Sequence, residues 1–383
     1  MNFRVSFFES DDAFDKLADD WRALAERSAA SSIFSTWEWQ SSWWRHYGAG
    51  SGHRLRLLTV WNDSNVLVAL LPYYIASVRV LSFVPKREAF LVGTGGDTSP
   101  DYMGALIDAS VDEVATRLLI DAFMARRHEW DALRFLDVQE GRFAQELQRA
   151  LSTSTRFATM EPASTIRIAR LPASWDDYLA TLDNDRRKRI RYQRRNAEKK
   201  IASTMRVCKE GDEVRVTFDH LVRLHRKRWG ERGENEGSFR TQNYVEFHRE
   251  AIEKCSLRDW VRLYRLDAGE EAAAVLYCYR YRDEVLFFQS GFDPALEKFS
   301  IGQILLGYAF ESAIGEGRTV FDMLKGDHAY KRSWANDTRQ TCEILAWRST
   351  AAGLLSLGRY RLAKMRRRPP AEEHASPAEE TGS

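Results

Sequence analysis

The stretch EVLFFQSGFDPALEKFSIGQILLGYAFESAIGEGRTVFDML, Glu284 to Leu324, decides the fold. An apolar strand over 284–288, a loop over 289–299, a helix over 301–313 and a strand over 319–324 make a βαβ unit, whose loop must deliver the helix start beside the strand end. A helix start offers unpaired backbone N–H groups and about half a positive charge, which suits a pyrophosphate. In KFSIGQILL, Ser300 is placed to cap the helix, and Gly302 removes a side chain where the backbone must approach an anion closely. Ordinary helix capping is the competing reading of both residues.

Immediately downstream, FDMLKGDHAYKRSWAND (321–337) crowds Asp327, His328, Tyr330, Lys331 and Arg332 ahead of Trp334. Asp322 sits on a strand between apolar neighbours, where burial would raise its pKa; pairing with a nearby Arg or Lys is the alternative. Upstream, WVRLYRLDAGEEAAAVLYCYRY (260–281) reads as a hairpin preceded by the helices FDHLVRLHRKRWGER and NYVEFHREAIEKC. The first half repeats the design in LRLLTVWNDSNVLVALLPYYI (55–75), which suggests two copies of one α+β unit. DDAFDKLADDWRALAER (11–27) has the periodicity of an amphipathic helix. IFSTWEWQSSWWRHYG carries an aromatic patch read as core or interdomain packing rather than a ligand platform. The most apolar window, 66–84, holds Pro72 and Arg79 and reads as two buried strands, not a membrane span.

The 383 residues exceed the size at which one core keeps growing, so two domains are expected, over 1–160 and 161–350, with a disordered tail over 366–383. With 44% hydrophobic residues and 57 basic against 55 acidic side chains, this is a globular chain without a global field for nucleic acid, which argues against dedicated DNA binding. Cys208, Cys255, Cys278 and Cys342 are scattered, with no metal-ligand spacing; no metal and a reduced, cytoplasmic setting are expected. The N-terminus lacks the apolar core of a signal peptide.

From about Ser174 to Arg348 the chain resembles the C-terminal domain of CelD/BcsL-type acetyltransferases, a branch of the GNAT superfamily related to FemAB-type aminoacyl transferases. The residues that carry the resemblance are DRRKRIRYQRR, LHRKRWGERG…GSF, the small-residue hairpin strand, GFDPALEKFSIGQILL and FDMLKGDHAYKRSW; in the first half, FSTWEWQSSWW and GTGGDTSPDYMGALI match less strongly. It implies an α+β fold of two tandem GNAT-like domains, with mixed sheets flanked by helices. It also implies that acyl-CoA lies in a splayed gap between two strands of the second domain, its pyrophosphate cradled by Ser300, Gly302 and Gln303. EKFSIGQ departs from the Arg/Gln- and Gly-rich loop common in the superfamily.

The chemistry so implied is direct attack of an amine on a thioester, acetyl-CoA being the expected donor. Main-chain groups near Gln289, Ser290 and Gly291 are the expected oxyanion donors. By analogy with the tyrosine many GNAT enzymes use, Tyr330 is the expected thiolate acid; His328 or Asp327 would be the base, Asp322 is a further catalytic candidate, and Lys331 would hold a phosphate or carboxylate. Packing of Tyr330 and Trp334 on one helical face is the bland alternative. On the acceptor side, Asp97, Asp101 and Tyr102 would face the cleft between the units and hold an amine or sugar hydroxyls, with Arg228 and Trp229 lining it; a plain glycine-rich loop and a core Trp229 fit equally. The resemblance alone points to an amino-sugar, polysaccharide or envelope precursor. The basic run from Arg186 to Arg195 is a solvated face, a contact to CoA phosphate or a handle for a polyanionic substrate. The rival functions are an aminoacyl transferase using charged tRNA and a non-catalytic GNAT-fold binding module.

Overall fold

The computed structural model describes residues 2–231 and 237–367. Residues 232–236 of the LHRKRWGERGENEGSF segment, and 368–383 of the expected tail, lie outside the described residues.

The first half runs β1 (Phe3–Phe8), α1 (Ala13–Lys16), α2 (Ala18–Arg27), α3 (Trp37–Trp43), β2 (Arg54–Asn62), β3 (Leu67–Val80), β4 (Val84–Leu91), β5 (Leu106–Ile107), α4 (Asp112–Ala125), β6 (Ala132–Gln139) and α5 (Arg142–Ser154). The second runs β7 (Phe157–Arg170), α6 (Trp175–Thr181), α7 (Asn184–Ile201), β8 (Ser203–Cys208), α8 (Gly211–Glu231), α9 (Gln242–Ser256), β9 (Val261–Ala268), β10 (Glu271–Tyr281), β11 (Glu284–Phe292), α10 (Ile301–Gly315), β12 (Val320–Asp322), α11 (Ala329–Trp334), β13 (Asp337–Trp347) and α12 (Ala351–Arg367).

The fold is α+β with a mixed sheet flanked by helices, and the sheet is continuous across both halves, in the order β1-β2-β3-β4-β6-β13-β7-β12-β11-β10-β9-β8, with β5 beside β3. The last strand makes the join. β13 is antiparallel to β6 on one side and to β7 on the other, so that Ile344 faces Phe135 and Met160. Its ILAW run is buried on both faces, as a central strand requires. Leu345 and Trp347 cluster with Leu357 of α12, while Ile344 and Ala346 enter the main core.

Three expectations are corrected. The apolar window 66–84 is one long strand, β3, followed by a turn at 81–83 and the start of β4, because β2 pairs with it from Leu67 to Ile75 and β4 from Tyr73 to Val80. The helix read over 11–27 breaks at Leu17 into α1 and α2. The expected tail begins inside α12, which runs to Arg367 and whose sequence pattern went unread. The aromatic patch is core: Phe34, Trp39, Trp43 and Trp44 are buried, and Trp39 meets Phe247 and Phe288 edge-on at 5.0 and 5.7 Å, packing α3 of the first half on α9 of the second.

Candidate functional site

The site begins where two strands part. β11 and β12 pair in parallel only from Glu284 to Leu286 against Val320 to Asp322. Beyond that point β12 turns away through Leu324 and Gly326, whose φ values are 50° and 105°, so β11 runs on to Phe292 with that edge open. A bulge opposite Tyr277 and Cys278 adds a local twist to β11. Gly291 lets α8 lie directly on the strand; a Cβ there would come within 2.7 Å of the His225 nitrogen.

A cleft of about 280 Å³ opens at the splay. Ala274, Leu276, Phe287 and Phe292 make its apolar wall, and Ser290, Gly291, Arg228, Tyr330 and the start of α10 complete it. Ser300 has left-handed backbone, φ 57° and ψ 37°, and contrary to expectation its side chain makes no cap bond. Instead it bends the preceding turn into the helix, and the Gln303 and Ile304 N–H groups bond back to its carbonyl oxygen at 2.9 and 3.1 Å. The amides of Ile301 and Gly302 belong to the set that a helix start leaves unpaired. A Cβ on Gly302 would lie 3.4 Å from the Phe292 ring, so a longer side chain there would crowd the cleft. This donor set fits a diphosphate, and the apolar wall fits a thin aliphatic arm.

Tyr330 lines this cleft, with its pKa pushed up to about 12 by burial. His328 is exposed at the head of α11, its ring stacked on Tyr330 at 5.8 Å. Asp327 is held by Arg167 and Arg332 at 3.0 and 2.8 Å, which keeps its pKa below the usual carboxylate value and makes it a poor base. Gln303 is engaged in structure: its Oε1 accepts from Trp334 Nε1 at 2.9 Å and from Arg186 at 3.4 Å. The Gln289 side chain donates to Ser238 and accepts the Ser290 N–H, both at 2.9 Å, so that expected oxyanion donor is engaged. Arg228 stacks on the Phe292 ring at 4.2 Å in the cleft, whereas Trp229 packs over Gly237 outside it. Asp97 accepts hydroxyl protons from Tyr47 and, at 2.5 Å, from Thr241, tying a first-half loop to the cap of α9.

The remaining candidates meet in a buried polar cluster at the end of β12. Asp322 lies on the sheet face opposite Phe321, whose ring stacks on Phe310 of α10; its Oδ2 accepts from the Tyr102 hydroxyl at 2.6 Å, with Arg339 at 3.4 Å. Desolvation raises its pKa to about 7. Asp101 accepts the Lys325 N–H at 3.1 Å, and burial raises its pKa to about 6; its Oδ1 has no hydrogen-bond partner among the described residues, with the Lys325 ammonium 3.8 Å away. Lys331, expected to meet a phosphate or carboxylate, instead donates to the carbonyl oxygens of Met323, Leu324 and Lys325 at 2.6, 3.1 and 2.6 Å. All three of its protons are engaged, and burial lowers its pKa to about 8 although Asp101 and Asp322 oppose that shift. Lys325, Asp137, Arg339 and Glu284 complete the cluster, although no local sequence signal marks them. Lys325 bonds Asp137 at 2.6 Å, and Arg339 grips Glu284 at 2.5 and 2.9 Å. Tyr102, Asp137 and Leu324, all in this cluster, have positive φ, the kind of backbone strain that collects at functional places.

On α7, Arg186 and Arg194 turn inward over Trp334 and Tyr308 at 5.0 and 4.1 Å, while Lys188, Arg189, Arg191 and Arg195 are exposed. Among the described residues no group of His, Cys, Asp and Glu could hold a metal ion, and no helix is long and apolar enough to cross a membrane.

A strand splay facing an open helix start is the defining feature of the GNAT acyltransferase fold, and comparison with known proteins agrees. Residues 184–332 match the model of the acetyltransferase (GNAT) domain. FemX has the same fold, at TM-score 0.61 and 11% identity over 94% of this chain and 99% of its own. So do the C-terminal domain of a putative lysylphosphatidylglycerol synthetase from Agrobacterium fabrum, at 0.53 and 10% over 92% and 97%, and L-PGS from Bacillus licheniformis, at 0.51 and 14% over 90% and 96%. No curated protein sequence matches significantly. Residues 184–332 thus carry a GNAT domain, in a chain whose overall fold these solved structures share.

Proposed function

We propose that the protein is an acyl-CoA-dependent N-acyltransferase, with acetyl-CoA as the favoured donor and an amino-sugar, polysaccharide or envelope precursor as acceptor. The observation that carries this reading is the cleft at the β11–β12 splay, with the Ile301 and Gly302 amides and Tyr330 on its lining. Residues 161–350 would form the catalytic unit, and 1–160 would brace it from behind, Tyr102 through its bond to Asp322. The helix start neutralises the donor's diphosphate and lays the thioester along β11. The acceptor amine attacks the carbonyl carbon, His328 takes the ammonium proton, and the C–S bond breaks as Tyr330 gives its proton to the thiolate. Asp322, on the far face, stays with Tyr102 and fixes the cleft floor.

Thermal unfolding with acetyl-CoA tests the donor site directly. Donor at ~100 times its dissociation constant stabilises the fold by about 2.7 kcal/mol. Gly302→Glu abolishes that gain by adding bulk and negative charge at the helix start. No shift at millimolar donor, or an equal shift in the variant, rejects the site.

The exposed basic face of α7 favours one second reading, an aminoacyl transferase that takes charged tRNA. Binding of charged tRNA that falls steeply with salt, and is lost when Lys188, Arg189, Arg191 and Arg195 are neutralised, would select it.

A further inference from the structure

The final described helix has two apolar faces where one suffices for packing. Leu357 and Tyr360 turn inward, Tyr360 against Trp347 at 4.7 Å. On the outside, Leu354, Leu355, Leu362 and Met365 are exposed, Met365 at 62%. At 3.6 residues per turn these four fall within a stripe about 100° wide. Arg359 and Arg366 border the stripe on one side and Arg361 on the other, and no acidic residue occurs between Ala351 and Arg367.

Beside this helix lies the β3–β4 hairpin. The two share a groove of about 630 Å³, lined by Val78, Arg79 and Val80 from the hairpin and by Arg359, Tyr360 and Ala363 from the helix. Glu88, Glu161 and Glu343 are also on its lining, so the anion-facing charge is confined to the outer stripe and the arginines that border it. At the hairpin tip Leu81 and Phe83 project into solvent, Phe83 at 73% exposure. Lys364 and Lys86 are neutralised by Glu161 and Glu88, whereas Arg79, Arg359 and Arg366 make no salt bridge among the described residues.

We propose that the outer face of α12 and the tip of the β3–β4 hairpin form a docking surface for an anionic lipid bilayer. Exposed apolar side chains flanked by uncompensated arginines are what sinks to headgroup depth while the charges meet lipid phosphates. A second copy of the chain is a poor occupant, because two-fold packing of the stripe on itself would set Arg359, Arg361 and Arg366 against their own equivalents.

The test is co-sedimentation of the full chain with phosphatidylcholine vesicles, with or without about one-third phosphatidylglycerol. The expected result is binding to the anionic vesicles only, weakened when salt is raised about tenfold. Each basic residue near such a surface is worth about fivefold, so combined Arg359→Gln, Arg361→Gln and Arg366→Gln should lower the partition coefficient on the order of a hundredfold. Phe83→Ser with Leu362→Ser should lower it at least tenfold without moving the melting temperature, because both side chains are exposed. Equal binding to both vesicle types, no binding to anionic vesicles, or a concentration-dependent dimer abolished by the serine changes would overturn the proposal.

Discussion

Two regions meet where β11 and β12 part, and they treat their polar groups in opposite ways. In the cleft, the first α10 amides and the Tyr330 hydroxyl have no hydrogen-bond acceptor or donor from the described residues, and the wall around them is apolar. In the cluster behind it, Lys331, Asp322, Asp137 and Arg339 are bonded almost to saturation, with Asp101 Oδ1 the exception. Groups left open beside a cavity await a ligand, while groups bonded to one another hold a shape. The contrast assigns binding to the cleft and rigidity to the cluster.

The largest test falls on Lys331. Lys331→Met strips three backbone carbonyls of their donor and leaves buried carboxylates without their cation, which should cost about 3–5 kcal/mol in urea unfolding. A cost under ~1 kcal/mol would erase the distinction. Next comes Asp322, whose folded pKa of about 7 exceeds the ordinary 3.8. The folded state holds this proton more tightly, so the stability it confers is full below about pH 4 and is lost as pH rises towards 7. Asp322→Asn lacks that loss. Relative to the parent chain it should therefore gain stability across this window, by up to about 4 kcal/mol at ~1.4 kcal/mol per unit; parallel pH profiles would remove Asp322 as a titrating group.

On the open side, Tyr330→Phe should lower kcat about 100-fold, roughly 2.7 kcal/mol, while leaving the melting temperature nearly unchanged, since the hydroxyl bonds nothing among the described residues. Intact turnover would place the acid elsewhere. The smallest effect is expected at the tie between the halves. Thr241→Ala loses both the cap of α9 and the bond to Asp97, about 1 kcal/mol, read from the same urea curves.

The cleft side was legible because its parts are close in sequence. Strand, loop, helix start and Tyr330 all fall within 284–330, where periodicity and capping chemistry act locally. The cluster was legible only in pieces. Asp101, Tyr102, Asp322 and Lys331 each suggest a separate role in the sequence, and no spacing shows that Asp137, Lys325 and Arg339 complete one network with them. Asp137 sits where the alternation of β6 slips at Phe135–Leu136 and the pairing with β13 shifts register, and it carries φ 47°, which no local spacing specifies. α12 escaped notice because its Leu and Arg pattern serves two faces at once.

What the amino-acid order settled alone was the kind of elements present: the βαβ unit, the two hairpins, the basic face of α7 and the helix start after Ser300. Those follow from interactions a few residues long. Tertiary structure decided that β13 would join the two halves through one sheet, that Lys331 would close a backbone turn rather than meet a ligand, and that Asp322 would face Tyr102. Each depends on contacts between distant segments, and burial of polar groups makes such contacts all-or-none: the partner must arrive from elsewhere in the chain, or the group cannot be buried.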